Sequence, residues 1–73
     1  MKHSEFTRAI EHEFGVDYGR ALVRDLVLTE LDRTGAQALA DGVRPRDVWQ
    51  ALCREMDVPD SRIHGAGRPE PKK

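Results

Sequence analysis

The chain has 73 residues, 38% of them hydrophobic and 34% charged, with a formal net charge of −1. That leaves room for one small domain, excludes a second, and is a folded rather than a disordered composition. One cysteine excludes an internal disulfide and a cysteine-rich zinc framework, and no apolar run is long enough for a secretory signal or a membrane span, so the expected location is the cytoplasm.

Ser4 is placed as an N-cap, Glu5 suits a helix N-terminus, and Phe6, Ile10 and Phe14 recur every four residues before Gly15. This predicts a first helix that Gly15 stops in the left-handed conformation. Asp17 is the expected cap of a second helix, on which Leu22, Val23, Leu26, Val27 and Leu31 form a wide apolar face. Gly19 falls in the first turn of that helix, where the cost of a helical glycine is reduced. Thr34 and Gln37 have capping-box spacing, which predicts a short third helix from Gly35 to about Asp41, stopped at Gly42 with Val43 packing back over it. Pro45 suits the first position of a fourth helix running to about Asp57, and Asp47 complements its positive end. Past Val58 the composition turns to Pro, Gly and charge. The expected organisation is therefore a helical domain over residues 1–60 and a flexible, basic, Gly/Pro-rich tail over 61–73.

The expected fold is all-α, a small bundle of three to four helices. Its expected core holds Phe6, Ile10, Phe14, Leu22, Leu26, Leu39, Val48, Trp49, Leu52 and Met56. Residues 34–53 also space Ala38, Gly42, Val43 and Val48 as a helix-turn-helix does, so the bundle is expected to contain a helix-turn-helix-like hairpin. In such a motif Arg44, Arg46, Trp49, Gln50 and Cys53 would face a DNA groove. At 100° per residue, however, Trp49 and Cys53 share a side with Val48, Leu52 and Met56, which favours packing of Trp49 or its use as an anchor for a protein. Arg46, Gln50 and Arg54 form a basic-polar stripe at four-residue spacing, and Arg20 with Arg24 forms a shorter one. The candidate contact residues for a nucleic acid or a protein partner are thus Arg44, Arg46, Trp49, Gln50 and Arg54.

Charge is unevenly distributed along the chain. From Met1 to Asp60 eight basic side chains oppose twelve acidic ones, and from Ser61 to Lys73 four basic oppose one acidic. An acidic body with a basic tail is the reverse of a basic nucleic-acid-binding core. His3, His12 and His64 have no metal-ligand spacing, Cys53 has no activating base placed by sequence, and no phosphate-binding loop or nucleophile elbow is present. No metal, cofactor or enzymatic chemistry is expected. The leading expectation is a non-enzymatic interaction module that presents a helix face to a protein partner not identifiable from sequence. The alternative is a DNA-associated regulator using the hairpin.

Several ordered stretches carry a family resemblance: Met1, Ser4, Glu5 and Phe6; Phe14, Gly15, Tyr18 and Arg20; Asp25, Leu28 and Leu31. It continues through Thr34, Ala38, Leu39, Gly42, Val43, Pro45, Val48, Trp49 and Cys53 to Pro59. Over about residues 1–62 the chain resembles a family of short actinobacterial proteins catalogued as domain of unknown function 3046. The resemblance implies no activity or residue roles. Members are often encoded near the recombinase A gene, which implies a DNA-repair setting.

Overall fold

The structure, a computed structural model, describes residues 1–65, with side chains through residue 63. It is mostly helical. Helices α1 (His3–Phe14) and α2 (Val16–Asp25) are followed by two-residue strands β1 (Val27–Leu28) and β2 (Arg33–Thr34), and then by α3 (Gly35–Ala40), α4 (Pro45–Glu55) and α5 (Asp60–Gly65). The strands pair antiparallel, Val27 opposite Thr34 and Leu28 opposite Arg33.

Local chemistry sets most of the element ends. Helix α1 starts earlier than Ser4 would cap it, at His3, with the Lys2 N–H donating to Glu5 Oε1 at 2.9 Å. Gly15 (φ 90) both ends α1 and caps α2, so Asp17 lies inside the first turn of α2 instead of capping it. The Thr34–Gln37 capping box forms in both directions, at 3.1 and 3.0 Å, and satisfies two donors that the start of α3 would otherwise leave free. Two helices end in the same way. Gly42 (φ 95) lets Val43 N–H reach Ala38 O at 3.0 Å, and Asp57 (φ 61) lets Val58 N–H reach Cys53 O at 2.8 Å. Each is a Schellman ending, with the residue after the left-handed turn folded back over the last turn of its helix.

Helix two was expected to continue through Leu31, but it stops at Asp25. Continued as a helix, the chain would carry Leu28 well away from the side that Leu22 and Leu26 share. Extended backbone at Leu26 (ψ 120) instead turns Leu28 fully inward and leaves Val27 outside, and the Leu28 carbonyl accepts from Leu31 and Asp32 to close the turn.

The second correction lies after Pro59. Residues 61–65, assigned by composition to the tail, are helical, and Ile63 is buried at 6% exposure. This brings the helices among the described residues to five rather than three or four. The expected flexibility of 66–73 lies outside the described residues.

The core is centred on α4, which contributes Val48, Trp49, Ala51, Leu52 and Cys53, all buried. Phe6, Ala9 and Ile10 of α1, Leu22, Leu28, Ala38, Val58 and Ile63 pack around them, with Phe14, Leu26, Leu39 and Met56 partly buried against the cluster. Helices α1 and α2 approach so closely that a Cβ built at Gly19 would fall 2.6 Å from Ile10 Cγ2 and 3.1 Å from the Ile10 carbonyl oxygen. Gly19 is therefore a spacing requirement rather than a tolerated defect.

Two outcomes follow, each read by thermal or urea unfolding. Ile63→Ala will destabilise by about 2 to 5 kcal/mol, the range for a buried aliphatic truncation; an unchanged midpoint would return this residue to a solvated tail. Gly19→Ala will destabilise by about 1 to 2 kcal/mol, because overpacking at Ile10 outweighs the gain in helix propensity.

Candidate functional site

Two surfaces could bind something: the outer stripe of α4 and a groove between α1, α2 and α3. Helix α4 exposes Arg46, Asp47 and Arg54 along a narrow side, with Gln50 partly covered, and Glu55 at its end. Arg44 precedes the helix and is exposed. Among the described residues neither Arg44 nor Arg46 has a carboxylate partner. Arg54 is held bidentately by Glu30, Nε to Oε2 at 2.7 Å and Nη2 to Oε1 at 2.8 Å. Those bonds hold the Glu30 carboxyl below the usual carboxylate range. Next to this pair, Glu55 accepts from the Thr29 N–H at 3.2 Å and the Thr29 hydroxyl at 3.4 Å. The end of α4 is thereby tied to the turn between the strands.

Trp49, the remaining candidate on this helix, is 1% exposed, and its Nε1–H donates to the Ile63 carbonyl oxygen at 2.9 Å. It is a core residue with its one polar atom satisfied and has no surface to offer a partner. The five candidates therefore divide. Arg44, Arg46 and Gln50 reach solvent beside Asp47, Arg54 is engaged by Glu30, and Trp49 faces inward.

Cys53 lies one turn beyond Trp49 and has no exposed surface. Burial, reinforced by the charge of Glu13, pushes its thiol pKa up to about 12, the opposite of what a nucleophile needs. Among the described residues no three His, Cys, Asp or Glu side chains are grouped to hold a metal ion. No helix of the described residues is long and apolar enough to cross a membrane.

The second surface was not visible in the sequence. Phe6, Thr7, Ile10 and Glu11 of α1, Arg20, Val23 and Arg24 of α2, and Ala36 of α3 line a groove of about 160 Å³. Its floor is apolar: Phe6 and Ile10 are nearly buried and Val23 is half-buried. Its α2 lip carries Arg20 and Arg24, whose side chains are 71% and 70% exposed. Arg20 Nη2 lies 3.9 Å from Glu11 Oε2 across the groove, while Arg24 donates to the adjacent Asp25 at 3.1 and 3.0 Å. The sequence displayed the Arg20–Arg24 pair as a stripe. It could not display the floor, which exists only where α1 and α2 meet at the close approach of Gly19 to Ile10. A second, polar cleft lies at Asp32, Arg33, Gln37, Ala40 and Asp41, where Arg33 pairs with Asp41 and donates to the Leu31 carbonyl at 3.1 Å.

Residues 1–61 match the family described as "Protein of unknown function (DUF3046)". The chain belongs to this family. No curated protein and no solved structure matches it. The match spans α1 through α4 and reaches the start of α5, so both surfaces lie within the family domain.

The raised thiol pKa has two measurable consequences. Native Cys53 will resist iodoacetamide at pH 8 and become reactive on denaturation. An unfolded thiol ionises near pH 9, whereas the folded one keeps its proton until about 12, so stability will fall as pH rises through that interval. Comparison of melting against pH for the native chain and Cys53→Ala isolates this contribution: the variant will show the shallower alkaline decline.

Proposed function

We propose that this member of the family is a small, non-enzymatic, cytoplasmic interaction module that docks a protein partner in the groove between α1, α2 and α3. The observation that carries this reading is the groove itself, an apolar floor opening to solvent between charged lips. Such a surface gives a partner an apolar anchor and a polar rim. Cys53 is buried and protonated, which leaves it unsuited to act as a nucleophile.

A second reading keeps α3 and α4 as a helix-turn-helix-like hairpin that binds DNA. It is favoured by the exposed Arg44 and Arg46, with no carboxylate partner among the described residues. Against it stand the wide buried side of α4, the engagement of Arg54 by Glu30, and Asp47 within the stripe. Few free cations remain to neutralise phosphates.

A photo-crosslinking amino acid placed at Ala36 in the groove, or at Arg46 on α4, distinguishes the two in cells. Protein adducts from position 36 and none from position 46 are expected. Nucleic-acid adducts, or adducts from position 46 alone, would overturn the groove reading. Duplex-DNA anisotropy at about 50 and 200 mM salt gives the second reading its own test, because phosphate binding weakens steeply between those concentrations.

A further inference from the structure

We infer that the groove is built for an acidic protein segment, with one Phe or Leu seated over Phe6, Ile10 and Val23 and carboxylates reaching Arg20 and Arg24. This rests on the reading of the groove as a docking site and adds the chemistry of its occupant.

Three observations identify that occupant. The first is size. A cavity of about 150 Å³ lined by aliphatic and aromatic side chains holds one benzene ring, and this groove, at about 160 Å³, has room for one large apolar side chain rather than an extended apolar face.

The second is charge. Arg20 and Arg24 are four residues apart on α2 and so share a face. Both are largely exposed, and both line the same opening. The lining as a whole carries two arginines against Glu11, whereas Met1 to Asp60 carries more acidic than basic residues. Asp25, just outside the lining, offsets Arg24, so the excess of positive charge belongs to the lining alone and acts at short range, through the guanidiniums that rim the opening.

The third is hydrogen bonding. At 3.9 Å the contact between Arg20 and Glu11 is too long for a hydrogen bond, and among the described residues the Arg20 guanidinium donates to nothing else. Arg24 uses only Nε and Nη2 on Asp25. Both arginines retain donors for an incoming carboxylate, to which a guanidinium binds in a planar, bidentate fashion.

The chain's own C-terminal stretch does not suit this site. Residues 66–73 contain three basic residues against one acidic and no large apolar side chain.

The test uses the full chain and fluorescein-labelled helical peptides of about fourteen residues with one central Phe. One peptide carries glutamates one turn to either side of the Phe, a second carries lysines there, and a third is the glutamate peptide with Phe→Ala. The glutamate–Phe peptide is expected to bind in the micromolar range, with both others at least tenfold weaker. The Arg20→Glu/Arg24→Glu chain, checked for an unchanged melting profile, should lose the glutamate peptide and gain the lysine one. That exchange of preference separates charge recognition from damage to the fold.

Equal binding of the glutamate and lysine peptides, dependent on the Phe, would overturn the acidic occupant while leaving the groove as a docking site. No binding by any peptide at 1 mM, with crosslinking from position 36 intact, would also overturn the occupant alone. Concentration-dependent self-association in sedimentation, abolished by Ala36→Trp, would assign the groove to a second copy of this chain and overturn the proposal. Single-stranded DNA competing through Arg20 and Arg24 would do the same.

Discussion

The indole of Trp49 is the constraint around which the rest is arranged. It is the largest side chain in the core, and its ring carries a single donor that water cannot reach. A buried N–H without an acceptor costs about 1 to 3 kcal/mol, a large share of the net stability of so small a domain. The acceptor comes from Ile63, beyond a proline and a stretch rich in charge. Helix α5 is thus held by two ties at the same residue, its apolar side chain in the core and its carbonyl on the indole. A third lies next to it, where Arg62 Nε meets Glu13 Oε2 at 3.0 Å. With Trp49 and its neighbours turned inward, α4 becomes the axis of the core and has little side left for recognition. The open apolar groove lies instead among the outer helices.

What the sequence disclosed and what it hid divide along the range of the interactions. The Thr34–Gln37 box, Pro45 at the start of α4 and the left-handed glycines at 15 and 42 act within a few residues, and each is found where its spacing puts it. All ten expected core residues are buried or packed against the core. The end of α2 was hidden because Leu26, Val27 and Leu31 fit a helical face as well as the strand and turn they occupy; only the demand of Leu28 for the interior decides. Helix α5 was hidden because its composition is that of a solvated tail and its stabilisation is tertiary. Among the candidate site residues, Trp49 was readable as core from the angular pattern of α4. The partnership of Arg54 with Glu30, across 24 residues of sequence, was not. The groove was the least readable feature, because its floor exists only once Gly19 has admitted Ile10.

The ion pairs matter for placement more than for energy. Exposed pairs such as Arg54 with Glu30 or Arg24 with Asp25 add little to stability, because water and salt screen them. They do consume charge: α4 loses its C-terminal arginine to Glu30, and Arg33 is taken by Asp41. Arg24 is engaged by Asp25 through its Nε and Nη2, and Arg20, beside the apolar groove, lies 3.9 Å from Glu11 without a hydrogen bond.

The bond between Trp49 and Ile63 also bears on how the chain acquires its fold during synthesis. A nascent polypeptide presents its residues in order, and the indole emerges 14 positions ahead of the carbonyl that satisfies it. At about 5 to 20 residues per second, the large aromatic of the core waits roughly one to three seconds for its acceptor. Through that interval α1 to α4 can gather around an indole still hydrogen-bonded to water, and the closure of the interior over that indole belongs to α5.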